Sequence, residues 1–165
     1  MSVIPVFAHR GAAARLVHNL KYRRSMAAAR LLGSLMAERV PPGTDSLVPV
    51  PRVLARRIAY GIDQTGVLAE VVSSITGIPV RQALRAKPWA RRSAGKNRSE
   101  RPRTEFALIL TPSHSPVLVD DVCTTGGTIA GAAIALGRST ASALVATSAG
   151  SMEQRTGGFQ ARGVA

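Results

Sequence analysis

The chain has 165 residues and a formal net charge of +13, with 45% hydrophobic but only 4% aromatic residues. This length allows one domain with an aliphatic core. A single cysteine excludes a disulfide framework and a cysteine-based zinc site, no segment reaches the length of a membrane span, and the N-terminal charge order is not that of a secretory signal. We therefore expect a cytoplasmic protein whose positive charge favours anionic partners.

The first half of the chain alternates between predicted helices and strands. Leucines and alanines spaced about four apart predict an N-terminal helix over residues 8–39, and the Pro-Pro-Gly sequence after it ends this helix. Residues 46–50 are predicted to form the first core strand. A helix is predicted to follow Arg52, and a second helix is predicted over residues 63–76, with Gly77 as its C-cap. A short strand is predicted after it, at residues 79–84.

The second half begins with a long basic segment, residues 87–104, which has no hydrophobic period and predicts a mobile loop. The elements predicted after it are strands at 106–110, 117–119 and 141–147 and a helix at 127–136. Alternating strands and helices indicate an α/β fold with a parallel sheet flanked by helices. We expect a single domain over residues 1–150 and a flexible C-terminal tail over 151–165.

The most informative segment is VLVDDVCTTGGT, at residues 117–128. It starts with the apolar run 117–119, which is typical of a central parallel strand. Asp120 and Asp121 follow at the predicted carboxyl end of that strand, where open α/β sheets bind ligands. The alternative is an ordinary strand–turn–helix with a solvated acid pair, but two adjacent carboxylates after a buried strand are costly through repulsion and desolvation.

A loop of threonines and glycines follows the acid pair and leads into the predicted helix. Its residues are Thr124, Thr125, Gly126, Gly127 and Thr128. Because few side-chain atoms cover this backbone, its N–H groups and the helix N-terminus can bind a phosphate. The carboxylates can accept hydrogen bonds from sugar hydroxyls, so the segment has the parts needed to hold a phosphorylated ribose.

This segment resembles the phosphoribosyl-pyrophosphate signature of the type I phosphoribosyltransferases. Other segments resemble one branch of that superfamily, the ComF family: LVHNLKYRR at 16–24, LVPVPR at 47–52, GIDQTGVLA at 61–69 and GKNRSER at 95–101. The resemblance implies a type I phosphoribosyltransferase-like fold that binds phosphoribosyl pyrophosphate with Mg²⁺. It also implies transfer of the phosphoribosyl group to a nitrogen base, with release of pyrophosphate.

The resemblance assigns roles to individual residues. Asp120 and Asp121 would hold the ribose hydroxyls and favour a positively charged sugar in the transition state, while the loop 124–128 would bind the 5′-phosphate. Pro51 and Arg52 would meet the pyrophosphate, with a Mg²⁺ ion that takes few ligands from the protein. Three basic residues of the long loop would close over the substrate, or else be solvated charges: Lys96, Arg98 and Arg101.

The resemblance leaves the acceptor base open. Thr124 stands where purine enzymes of the hypoxanthine type place an aspartate, which argues against that class. Enzymes resembling the orotate, adenine and amido-transfer types also lack this aspartate. A homodimer is one oligomeric state compatible with the resemblance. Cys123 is predicted to be a small buried hydrophobe rather than a reactive thiol.

Two other functions remain open at this point. One is a sensor that binds phosphoribosyl pyrophosphate without turning it over. The other is a nucleic-acid-binding protein, because ComF-family members are associated with DNA uptake. From Arg81 to Arg103 there are nine basic residues against one acid, with Trp89 among them, and such a segment attracts phosphates without reading sequence. We predict that Asp121→Asn weakens ligand binding and leaves the fold intact.

Overall fold

The structure is a computed structural model that describes residues 2–52, 63–87, 106–111, 113–137 and 141–150. Its elements, in chain order, are β1 (Ser2–Ala8), α1 (Gly11–Arg23), α2 (Met26–Ala37), β2 (Ser46–Pro49), α3 (Gln64–Thr76), β3 (Leu84–Ala86), β4 (Phe106–Leu108), β5 (Pro116–Cys123), α4 (Gly127–Ala135) and β6 (Ser142–Ser148). Strands and helices thus alternate along much of the described chain, as the sequence pattern predicts.

Four strands form one parallel sheet in the order β1-β6-β5-β2. Leu144 of β6 lies at the centre of the register, opposite Ile4 of β1 on one side and Val119 of β5 on the other. Val80 forms an isolated parallel bridge to Leu47 beyond β2. The short strands β3 and β4 pair antiparallel as a separate two-stranded sheet. The α/β prediction with a parallel sheet flanked by helices is confirmed.

The two faces of the parallel sheet bury separate apolar cores. Successive side chains along a strand point to opposite faces, so Val117 and Val119 pack with α1, α2 and α3, whereas Leu118 packs with α4 and the β3–β4 pair. Leu118, Val119 and Leu144 are fully buried. Because both faces are covered, the strands read as nearly continuous hydrophobic runs, and β5 lies at the interior of the sheet with a neighbour on each side.

The N-terminal region differs from the sequence prediction in two respects, the first of which is a strand where no element was predicted. Residues 2–8 form a strand, because their β-branched and aromatic residues pair in parallel with β6; the strand at Ser46 is therefore the second of the sheet. The single helix predicted over 8–39 is two helices. Arg24 adopts a left-handed backbone (φ 52°), and the hydroxyl of Ser25 accepts a hydrogen bond from the Ala28 N–H, which caps the start of α2.

Later elements follow the predictions more closely. Helix α3 begins after the N-cap Asp63 and ends at Gly77, whose φ of 73° makes it the predicted left-handed C-cap. The strand predicted at 79–84 is instead the bridge at Val80 followed by β3. The predicted basic loop from residue 88 onward, the C-terminal tail from 151 and a helix after Arg52 lie outside the described residues. No helix in the described part combines the length and apolarity needed to cross a membrane.

Candidate functional site

A crevice between the carboxyl ends of β2 and β5 is the natural ligand position in this topology. From β2 the chain passes through α3 and returns at Val80, beyond β2, whereas from β5 it passes through α4 to β6 on the other side. The two helices cover opposite faces of the sheet. Connections that leave two neighbouring strands in opposite directions open a crevice at their carboxyl ends, and ligands of open α/β sheets bind there.

The acid pair lies inside β5 rather than after it, because the strand continues through Cys123. The side chains of Asp120 and Asp121 are only 6% and 1% exposed. Asp121 forms ion pairs with Lys21 of α1 and with Arg52, whereas the Asp120 carboxyl accepts a hydrogen bond from the Asp121 backbone N–H. Two adjacent buried carboxylates therefore face different surroundings.

Two cations bind Asp121. Lys21 Nζ, from the last turn of α1, lies 3.0 Å from Oδ2, and the Arg52 guanidinium donates to Oδ1 at 2.5 Å. Both cationic side chains are themselves mostly buried, at 19% and 16% exposure. Burial alone would raise the pKa of Asp121, but the charges of Arg52 and Lys21 outweigh it and hold that pKa below its ordinary value.

The pKa of Asp120 is shifted in the opposite direction. Its Oδ1 accepts a hydrogen bond of 2.8 Å from the Asp121 backbone N–H. Burial, followed by the negative charge of Asp121, nevertheless raises the pKa of Asp120 well above the ordinary value. Asp121 therefore ionises first, and Asp120 keeps its proton to higher pH. The pair offers a charged acceptor beside a carboxyl that can also donate.

This difference predicts an opposite pH dependence of stability for the two acids. For Asp120, whose folded pKa is raised, the folded state binds more protons than the unfolded one, so stability falls as pH rises from 3.8 through that raised value. For Asp121, whose folded pKa is lowered, stability is lost only below 3.8. Urea unfolding between pH 4 and pH 8 should show the decline in the wild type and a flatter profile in Asp120→Asn. An equally steep decline in the variant would contradict the assignment.

The Thr/Gly loop lies directly beyond the acid pair. Thr124, Thr125 and Thr128 are exposed, and Gly126 takes a left-handed conformation (φ 80°) as the N-cap of α4. This φ favours glycine, which has no side chain with which to cap the helix. Gly126 therefore supplies no side-chain acceptor to the first N–H groups of α4, and the helix dipole favours an anion there. The loop geometry suits the phosphate role expected from the sequence.

The described residues bring most of the predicted site together. Asp120, Asp121 and the loop are consecutive along β5 and its exit, and Arg52, next to Pro51 at the end of β2, reaches across to Asp121. Three predicted residues lie outside the described part of the chain: Lys96, Arg98 and Arg101. Cys123 is 1% exposed and belongs to the α4-side core, as expected for a small buried hydrophobe.

Sequence reasoning missed the contribution of the N-terminal segment to this site. Lys21 lies in a segment that resembles the ComF family, but its spacing in the sequence does not predict the ion pair with Asp121. At the end of β1, His9 Nδ1 lies 2.8 Å from Thr147 Oγ1, and that hydroxyl donates to the Asp121 carbonyl at 3.4 Å. The described residues contain no group of three or more histidines, cysteines or acids that could hold a metal ion.

Fold and site together define an α/β protein with a buried cluster of charged side chains at the switch point of a parallel sheet. Comparisons with protein-family models, with curated proteins and with solved structures found no match to this chain. Its function is therefore inferred from the geometry of the crevice and from the signature segment that forms it.

Proposed function

We propose that this protein is a ComF-like phosphoribosyltransferase that binds phosphoribosyl pyrophosphate and transfers its phosphoribosyl group to a nitrogen base. The observation that carries the proposal is the sequence of parts along β5: two buried acids of unequal pKa, then an exposed loop that leads to a helix whose N-cap is a glycine. A phosphorylated ribose offers the matching groups, with hydroxyls for the acids and a phosphate for the helix.

The acids suit a ribose better than a simple cation. Asp121, whose pKa is lowered, is the acid that ionises first and accepts hydrogen bonds, and Asp120, whose pKa is raised, can donate as long as it holds its proton, so the pair can bind hydroxyls in either direction. The negative charge of Asp121 also favours a sugar that becomes positive in the transition state. Lys21 and Arg52 hold this carboxylate in place before the ligand arrives.

Arg52 is the proposed contact for pyrophosphate. Its Nη2 binds Asp121, while its Nε is buried and has no hydrogen-bond partner in the part of the chain that the structure describes. A guanidinium has five N–H donors, so it can keep the carboxylate and still donate to a phosphate oxygen. Such a charge-assisted bond is among the stronger hydrogen bonds in proteins.

Mg²⁺ fits this site as an ion that arrives with the ligand. The described residues include no cluster that could bind a metal by protein ligands alone, but Mg²⁺ commonly keeps its waters and uses one or two carboxylates with substrate phosphates. Asp120 and Asp121 could supply such carboxylate oxygens. When bound, the ion would neutralise the charge that develops on the departing pyrophosphate.

The proposed reaction is a substitution at the anomeric carbon. A C–N bond forms between the base and the sugar, the C–O bond to pyrophosphate breaks, and pyrophosphate leaves with the bonding electrons. The proton lost from the base passes to solvent. The protein's part is to position the two reactants and to stabilise the positive sugar.

Isothermal titration of the purified chain with phosphoribosyl pyrophosphate, with and without Mg²⁺, tests the proposal. We expect Mg²⁺-dependent binding that is lost in the Asp120→Asn/Asp121→Asn double variant. Asp45→Asn is the matched control, because Asp45 bonds to Ser113 and Ser115 before the amino end of β5 and should leave binding unchanged. No binding by the wild type at millimolar ligand would refute the proposal.

Turnover separates a transferase from a sensor. If the chain is an enzyme, a screen of nitrogen bases should identify one that releases pyrophosphate in the presence of Mg²⁺ and phosphoribosyl pyrophosphate. Tight binding without pyrophosphate release for any base would instead assign the chain as a sensor of this metabolite.

A further inference from the structure

Four buried side-chain atoms in the described residues have no hydrogen-bond partner, and they belong to three residues: Arg52 Nε, Asp121 Oδ2 and both Nε2 and Oε1 of Gln64. Arg52 and Asp121 contact each other in the crevice, and Oδ2 has Lys21 as an ion-pair partner. Gln64 is 0% exposed and has neither a charge partner nor a hydrogen bond on its amide. Because a buried unpaired polar group is costly, native proteins rarely keep one without a reason.

The backbone places Gln64 beside the same crevice. It is the first residue of α3, and the hydroxyl of the next residue, Thr65, donates to the Val50 carbonyl at 2.9 Å. Val50 in turn donates its N–H to Val119, directly before the acid pair. Arg52 is two residues beyond Val50. Since consecutive Cα atoms are about 3.8 Å apart, the Cα atom of Gln64 lies within a few such distances of Arg52 and Asp121.

The unpaired amide has a definite chemical preference. Its Nε2 donates and its Oε1 accepts, so a ligand that satisfies both must present an acceptor next to a donor. A phosphate offers acceptors only and would leave Oε1 unpaired. The edge of a nucleobase that carries an adjacent N–H and a carbonyl or ring nitrogen satisfies both atoms.

We propose that Gln64 reads the acceptor base in the site described above. This inference rests on the proposed transferase function and narrows its acceptor to bases with an adjacent donor and acceptor. Pyridine carboxylates, which offer acceptors only on their acid group, are excluded as substrates. Sites built to hydrogen-bond a substrate group discriminate strongly against analogues that lack it, because the protein's own polar atoms then stay unpaired.

The test compares ribose 5-phosphate with nucleoside 5′-monophosphates, since the difference between their affinities isolates the base. For the wild type we expect at least one of AMP, IMP and UMP to bind more tightly than ribose 5-phosphate, by about tenfold or more. Nicotinate mononucleotide should bind no more tightly than ribose 5-phosphate. Gln64→Leu should remove the nucleotide's advantage and leave ribose 5-phosphate affinity unchanged. Gln82→Leu makes the same substitution at an exposed glutamine and controls for the replacement of glutamine by leucine.

Unliganded stability provides the second measurement. If the amide serves only a ligand, Gln64→Leu removes two unpaired groups and should leave the thermal midpoint unchanged or higher. A lower midpoint with an intact nucleotide preference would make Gln64 a structural residue and overturn the inference. Equal weakening of ribose 5-phosphate and nucleotide would also overturn it, because the contact would then be to sugar or phosphate.

The two proposals fail in distinguishable ways. If the wild type binds ribose 5-phosphate but shows no preference for any nucleotide, the base-reading role of Gln64 is wrong and the phosphoribosyl site stands. If the wild type binds neither phosphoribosyl pyrophosphate nor ribose 5-phosphate, the proposed function and the role of Gln64 both fall.

Discussion

Asp121→Asn is expected to lower the free energy of unfolding at pH 7 by about 2–4 kcal/mol, whereas Asp120→Asn should leave it unchanged or raise it, because the wild type has already lost the stability that the raised pKa of Asp120 provides at low pH. Asn at 121 leaves Lys21 and Arg52 without their shared counter-charge in a site where Asp121 is 1% exposed. Breaking a buried ion pair from one side is strongly destabilising. The partial exposure of the two cations, at 19% and 16%, lets water compensate in part and places the loss toward the lower end.

Asp120→Asn is the control that the chain itself provides, because it changes an adjacent carboxyl in the same strand. Burial and the charge of Asp121 favour the protonated form of Asp120, and asparagine has nearly the shape of a protonated acid. Urea unfolding of both variants with the wild type measures the contrast. Equal losses for the two would show that the acids carry equivalent charge, contrary to their opposite pKa shifts.

The same pair of variants separates stability from function. Asp121→Asn should still fold, as the sequence alone predicts, but its affinity for phosphoribosyl pyrophosphate should fall because the ionised acceptor is gone. The titration is therefore run well below the variant's thermal midpoint. Wild-type affinity in Asp121→Asn would rule out a direct role for this carboxylate in the ligand site.

Thr128→Glu is expected to abolish binding of 5′-phosphorylated ligands, with a loss of at least about 100-fold, through repulsion at close range. Thr128 is exposed in the first turn of α4, after the N-cap Gly126. The same charge interacts favourably with the helix N-terminus, so the variant should be as stable as the wild type or more stable by about 0.3–1 kcal/mol. Loss of binding together with unchanged or higher stability is the expected signature of a phosphate site at this helix.

Thr128→Gln is the matched control, since it has the size of glutamate without the charge. It should retain most of the affinity for ribose 5-phosphate, measured by titration beside Thr128→Glu and the wild type. If both variants lose binding equally, bulk rather than charge is responsible. If Thr128→Glu binds normally, the phosphate lies elsewhere and the loop role is wrong.

The β5 segment was readable from sequence because its information is local. Within twelve residues, an apolar run predicts a buried strand, two acids predict ligand contact, and a Thr/Gly loop predicts an accessible backbone. The structure confirms the strand and the helix that follows. It moves only the strand boundary, which extends past the acids because Val122 and Cys123 still pair with β6.

The N-terminal strand was not predicted from the sequence because its signal is not local. Residues 2–8 contain apolar residues that suit either a short helix segment or a strand, and short apolar runs do not distinguish the two. The strand forms because its residues pair in parallel with β6, about 140 residues away along the chain. The break between α1 and α2 likewise depends on a left-handed Arg24, an uncommon conformation for a residue with a side chain.

The sequence by itself determined an α/β fold, a buried β5 and a candidate phosphate loop, because period, composition and turn residues act over short distances. Only the tertiary structure decided that Lys21 and Arg52 meet at Asp121, that Asp120 and Asp121 differ in pKa, and that Gln64 is buried with an unpaired amide. These properties depend on burial and charge supplied by α1, β2 and α3. Residues far apart in sequence come together there through packing, which no local pattern encodes.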